Sequence, residues 1–197
     1  MYPKPIQKLI SEFQKLPGVG PKQAAKFAFK VLRMSDSEVE EFARTLGSIK
    51  TETHVCAQCG LTFEDDGSSL CPICRNPERS NQTIAVVETE RDAYTIEKSQ
   101  AFSGVYHILG APISLAADSL DSPTIQRLQA RLSKLKNPEV ILALSATTDG
   151  GATALFLERA LGENNIKISR LGRGLSSGIE IEYADKDTLI DAFRNRK

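Results

Sequence analysis

No run of apolar residues in this 197-residue chain approaches the roughly 18–20 that a membrane span requires. The opening stretch, MYPKPIQKLI, lacks the long apolar core of a secretion signal. These two absences lead to the expectation of a cytoplasmic protein. Net charge is also missing, since 25 Lys and Arg balance 25 Asp and Glu. No G-x-x-x-x-G-K-[ST] phosphate loop occurs, and the glycines of GRGLSSG do not fit G-x-G-x-x-G. Neither common route to a bound nucleotide is therefore supported.

What is present is ordinary for a globular protein: 41% hydrophobic and 25% charged residues. The length allows one good-sized domain with an appendage, or two small domains. The zero net charge hides an asymmetry. Residues 1–33 hold Lys4, Lys8, Lys15, Lys22, Lys26, Lys30 and Arg33 against Glu12 alone, a net +6. A basic segment on a neutral chain points to a local anionic partner; the plainer alternative is a solvated, lysine-rich helix face.

Ile6, Leu9, Ile10, Phe13 and Leu16 recur at helical spacing, which predicts an amphipathic helix over 5–16. Pro17 and Gly18 break it, and Pro21 suits the first turn of a second helix with Ala24, Phe27, Ala28 and Val31 on its apolar face. Gly18 and Gly20 allow positive φ and close approach at the hairpin centre. The free amides at the second helix's start favour an anion, and Lys22 and Lys26 stand beside them at i, i+4. That set suits a DNA phosphate and reads no base. The LPGVGPKQAAK stretch resembles the helix-hairpin-helix family of non-sequence-specific DNA binders; an ordinary αα-corner is the alternative. Ser35-Asp36-Ser37-Glu38 is a capping-box pattern, and Val39, Phe42, Ala43 and Leu46 predict a buried stripe on a third helix.

Cys56, Cys59, Cys71 and Cys74 form two C-x2-C pairs eleven residues apart. Four thiolates close a tetrahedral shell around Zn2+ and leave no position for water, which makes the expected site structural. An iron–sulfur centre is the rival, and a redox dithiol fits the spacing less well. A β-hairpin is expected between the pairs, turning at Asp66-Gly67. His54 is expected at the surface.

From Thr83 the period changes. TIAVVE, GVYHIL, EVILAL and IKISRL read as strands, with helices over 90–98, 122–136 and 151–162 between and after them. This alternation predicts a parallel sheet with both faces covered and a site at the strand C-termini. His107 falls inside a strand and is expected to be packed. Glu88 ends the first strand, and LALSATTDGGA follows the third. Together these ends resemble the Toprim domain of topoisomerases, primases and nucleases, where a Glu and an Asp-x-Asp pair hold Mg2+. Aligning Asp149-Gly150 with that family's Glu-Gly puts Ser145 and Thr147 where the aspartates belong. Hydroxyls cannot replace two carboxylates for a hard cation, and no tyrosine stands as an evident strand-cutting nucleophile. No catalytic residue is assigned.

The order of parts, with LPGVGPKQAAK, CPIC, VVE, YHILGA, TALFLERAL, RLGRGL and EYADKDTL, resembles the bacterial RecR family of recombination mediators. One departure is Asp149-Gly150-Gly151, where that family usually carries Glu-Gly-Glu or Glu-Gly-Asp. The resemblance implies an α+β multidomain chain: a helix-hairpin-helix domain (1–53), a four-Cys zinc finger (54–77), a Toprim domain with a mainly parallel sheet (78–175) and a C-terminal strand and helix (176–197) for oligomer contact. It implies a non-enzymatic role in DNA repair: dimers or ring-like tetramers on DNA that act with RecO and RecF to load RecA on gapped DNA. Gly18, Gly20, Lys22 and Lys26 would face DNA. Glu88 and Asp92, four apart at a helix start, are candidates for a basic surface of a partner such as RecO, with helix capping as the competing role. Two other classes stay open: a metal-dependent nuclease built on Glu88, Asp92 and Asp149, and a zinc-ribbon adaptor that never touches DNA.

Overall fold

The computed structural model describes residues 2–110, 122–162 and 166–196. Ala111 of YHILGA lies outside them, as do Met1 and Lys197 at the ends of two expected domains. The chain divides into two compact units, Met1–Glu52 and Thr53–Lys197.

In the first unit, helices α1 (Lys4–Gln14), α2 (Pro21–Val31) and α3 (Asp36–Ser48) follow one another. Ala24 and Ala28 are the fully buried residues of α2, and their small size lets the backbones of α1 and α2 approach. Phe13 and Phe27 meet edge to face with ring centroids 5.6 Å apart. The capping box forms as expected: the Ser35 amide donates to Glu38 Oε2 at 2.7 Å, and the Glu38 amide donates to Ser35 Oγ at 3.4 Å. The stripe on α3 does not become a core. Phe42 is 40% and Leu46 61% exposed, because three helices of this length enclose little more than the alanine seam.

In the second unit, β1 (Thr53–Val55) pairs antiparallel with β2 (Thr62–Glu64). The hairpin expected between the cysteine pairs is therefore misplaced. The strand at 62–64 pairs backwards across the first C-x2-C, not forwards across Asp66-Gly67. Asp65 Oδ1 and Asp66 Oδ1 instead accept from the amides of Gly67 and Ser68, which turns the chain without making a second strand. A four-residue helix, α4 (Pro72–Arg75), carries Cys74.

Among the described residues a parallel sheet follows, ordered β4 (Gly104–Ile108), β3 (Ser80–Val87), β5 (Glu139–Leu142) and β6 (Lys167–Arg170). All three pairings are parallel, as the strand–helix alternation predicts. Side chains alternate across it. Ala85, Val87, Tyr106 and Ile108 face the cysteine segment and α5 (Glu90–Ser99). Ile84, Val86, Val105, Val140 and Leu142 face α6 (Pro123–Leu132) and α7 (Thr148–Leu161). Helix α7 begins before the two glycines, because Thr147 caps it by accepting from the Gly150 amide at 3.1 Å. After β6 the expected C-terminal strand is absent. Ile181–Tyr183 makes one 3-10 turn, and α8 (Lys186–Arg194) follows. The alternation of Ile179, Ile181 and Tyr183 suits a strand, but among the described residues the segment pairs with no strand, and all three stay exposed.

Candidate nucleic-acid interface, metal centre and acid site

The hairpin between α1 and α2 turns at Gly18, whose φ of +78° a side chain would resist. Gly20 caps α2 with extended backbone and offers no side-chain cap, and Pro21 brings no amide. The Ala24 amide reaches Gly20 O, which leaves the amides of Lys22 and Gln23 at the open end of the helix. Lys22 and Lys26 are both exposed, and among the described residues neither forms a salt bridge. Lys15, by contrast, is paired with Glu12.

The four cysteines are brought together. Their Sγ atoms all lie within 4.8 Å of one another, and all four residues are buried. Cys59 and Cys71 sulfurs are 3.6 Å apart. A tetrahedron with metal–sulfur bonds of about 2.3 Å has edges of about 3.8 Å. The donor set and its spacing thus fit a four-coordinate ion. Backbone donors already point at the sulfurs: Leu61 N–H to Cys59 at 3.4 Å and Cys71 N–H to Cys56 at 3.3 Å. Gly60, at φ +83°, gives the knuckle its turn. A hydrogen bond from Cys59 pulls the Cys71 thiol well below its ordinary value, and the same bond pushes Cys59 up. So much sulfur in one buried place can ionise fully only around a cation. His54 is no ligand; it is exposed and lies 3.0 Å from Asp65 Oδ2.

The finger is fastened to the sheet and to α5 by specific bonds. Cys59 O accepts the Ile108 amide at 2.8 Å, on the outer edge of β4. Glu90 Oε1 accepts from both the amide and hydroxyl of Thr62, at 2.7 and 2.6 Å, and Tyr94 donates to Thr62 O at 2.9 Å. His107 is fully buried, with Nε2 3.0 Å from Thr124 O. Burial first, then Arg127 and Arg131, lower its pKa to about 4.

At the C-terminal ends of β3 and β5, Glu88 is 7% exposed. Its carboxylate accepts the Ser145 amide at 3.1 Å and the Ser145 hydroxyl at 2.8 Å. A Cβ on Gly150 would lie 2.8 Å from Glu88 Oε1, and closer still to Ser145 O. Asp92 serves its own helix: its Oδ2 accepts from the amide and hydroxyl of Thr89, both at 2.8 Å. Glu88 therefore lies behind the surface, and of the two acids expected to meet a partner only the half-buried Asp92 reaches solvent. Asp149 sits exposed in the first turn of α7. Thr147 spends its hydroxyl on the cap. Ser145 and Thr147 are exposed, but their hydroxyls are already engaged by groups of this chain.

One feature escaped the sequence reading. Arg131 is 7% exposed and donates to Tyr106 O at 2.8 Å. Its signal was its position. It falls within the apolar stripe Ile125, Leu128, Leu132 of α6, where a cation is out of place.

Comparison with known proteins adds the following. Residues 6–50 match the family model for the RecR helix-hairpin-helix, residues 82–172 that for the Toprim domain, and residues 174–197 that for the RecR C-terminal region. A protein of Streptococcus pneumoniae (strain Hungary19A-6) named Recombination protein RecR is 44% identical over 197 residues, covering 100% of this chain and 98% of that one. Proteins of the same name from Lactococcus lactis subsp. cremoris (strain MG1363) and Streptococcus gordonii (strain Challis) are 43% and 44% identical, with 99% and 100% of this chain covered and 98% of each relative.

Proposed function

The chain belongs to the RecR family of recombination proteins, and we propose that it is a DNA-binding mediator of recombinational repair that performs no catalysis itself. The observation that carries this reading is the pairing of Glu88 with Ser145. Two-metal phosphoryl transfer needs several carboxylates converging on cations a few Å apart. Among the described residues one carboxylate is buried, and a hydroxyl and an amide occupy it. Cleavage of plasmid DNA by purified protein with Mg2+ or Mn2+ tests this. The expected result is intact plasmid; metal-dependent nicking that disappears in Glu88→Gln overturns it.

DNA is held through the hairpin. Gly18 and Gly20 shape the turn, the Lys22 and Gln23 amides meet one phosphate, and Lys22 and Lys26 supply charge. No base is read, so binding is indifferent to sequence. Four residues, Cys56, Cys59, Cys71 and Cys74, hold one Zn2+ in a closed, structural site. Its chemistry there is cross-linking, and it stabilises a finger with few apolar residues of its own.

The protein works in the cytoplasm as a homo-oligomer, a dimer or a ring-like tetramer on DNA. Exposed apolar groups support this: Leu32, Leu46 and Ile49 in the first unit, and Ile181, Tyr183 and Phe193 near the C-terminus. A ring multiplies weak contacts per subunit into useful affinity. RecO and RecF are the protein partners, RecA is loaded on gapped DNA as the outcome, and Asp92 contributes to the surface that meets RecO.

A further inference from the structure

We propose that Arg131 is the charge-compensating partner of the four-thiolate metal centre, a positioning residue that ties metal loading to the edge of the Toprim sheet. The proposal rests on the cysteine cluster being a metal site.

Arg131 is almost wholly buried, and a buried cation is costly unless it is paired. Nη1 has one neutral acceptor, Tyr106 O at 2.8 Å. Among the described residues Nε and Nη2 are buried with no hydrogen-bond partner, and no carboxylate forms a salt bridge with Arg131. Arg127, one turn earlier on α6, shares a groove with it and also lacks a salt bridge among the described residues. Two like charges a turn apart repel unless an anion lies before them.

That anion is supplied by the cysteines. The groove that holds both arginines is lined on its other side by Ala57, Gln58 and Leu70, which flank Cys56, Cys59 and Cys71. Edge strand β4 fixes the alignment. Its Tyr106 carbonyl is taken by Arg131, and its next outward group, the Ile108 amide, is taken by the Cys59 carbonyl. Guanidinium and knuckle thus occupy neighbouring positions along one strand edge. Burial lowers the pKa of Arg131, while the four cysteines act in the opposite direction. Four thiolates around a divalent ion retain two negative charges, and a guanidinium cannot be deprotonated here. Without the metal–thiolate centre Arg131 is a buried, unbalanced cation; with it, a balanced one. Together with the Cys59 carbonyl it covers the outer edge of β4.

Competition for Zn2+ against a chromophoric chelator, on the full chain, tests this with Arg131→Lys and Arg131→Gln. Both side chains can donate to the Tyr106 carbonyl, but only lysine keeps the charge. The expected result is a Lys variant close to the parent and a Gln variant about 10–100-fold weaker for Zn2+. A Gln variant that loses its metal during purification while the Lys variant retains it counts equally in favour. Equal affinities for Gln and Lys, or loss of metal by both, overturn the role of charge. A parent protein that binds no metal at all refutes the metal site itself, which is a different failure.

Discussion

Ser145 gives both of its hydrogen-bond donors to Glu88, the amide to Oε1 at 3.1 Å and the hydroxyl to Oε2 at 2.8 Å, across 57 residues of sequence. The bond pins the end of β3 to the loop before α7. Gly150 is required beside it, because a Cβ there would press on Glu88 Oε1. Ser145→Ala should cost about 1–3 kcal/mol, since a buried carboxylate loses a donor. Gly150→Ala should cost a similar ~1–3 kcal/mol by overpacking. Urea denaturation monitored by circular dichroism checks both; stability unchanged in either variant would mean that the pair is not held as described.

The four-cysteine cluster makes a second demand. Elemental analysis of purified protein should find about one Zn2+ per chain. Cys59→Ser should lower the metal content, open the finger and promote aggregation, because three thiolates no longer close the shell and the finger has few apolar residues of its own. Iron with sulfide, or no metal, would refute the assignment.

His107 supplies a pH dependence. Its folded pKa, about 4, lies below its ordinary 6.5. The unfolded chain therefore binds the extra proton first as pH falls. The histidine's contribution is fully present above about 6.5 and is lost as pH drops through that value towards 4. At about 1.4 kcal/mol per pKa unit, the loss reaches roughly 3 kcal/mol. Melting curves should fall more steeply between pH 7 and 4.5 for the parent than for His107→Gln, which removes the titrating ring. Parallel slopes would show that His107 does not carry the effect.

Asp92 both caps α5 and reaches solvent, so two substitutions are needed to separate its roles. Asp92→Asn keeps an acceptor for Thr89 and removes the charge; Asp92→Ala removes both. The alanine variant should lose about 1 kcal/mol of stability. Both should bind RecO more weakly in a pull-down or by interferometry. Undiminished RecO binding by the asparagine variant would leave Asp92 a cap and nothing more.

Much of this architecture was legible because its signals are local. The hairpin is written in Pro17-Gly18 and Pro21, the α3 start in Ser35 and Glu38, the metal centre in two C-x2-C pairs, and the parallel sheet in four apolar runs. What was misread depends on partners far along the chain. The strand at 62–64 pairs with 53–55 because the knuckle between them closes a loop, which residue pattern alone does not reveal. The alternating residues 179–183 have the pattern of a strand and, among the described residues, no strand to join. The missing acids at 145 and 147 could be read from sequence, but the use of Ser145 could not. Arg131 was visible only as a charge out of place in an apolar stripe.

On the proposed reading, a DNA phosphate is held at the α1–α2 hairpin by amides and lysines. Duplex affinity of the parent and of Lys22→Ala with Lys26→Ala, measured by fluorescence anisotropy over a series of salt concentrations, tests it most directly. The double variant should keep the parent's melting temperature, because both lysines are exposed. It should bind unrelated duplexes uniformly more weakly, with a shallower dependence of log affinity on log salt, since fewer counterions are released. Affinity and salt slope equal to the parent's at every salt concentration would contradict the account.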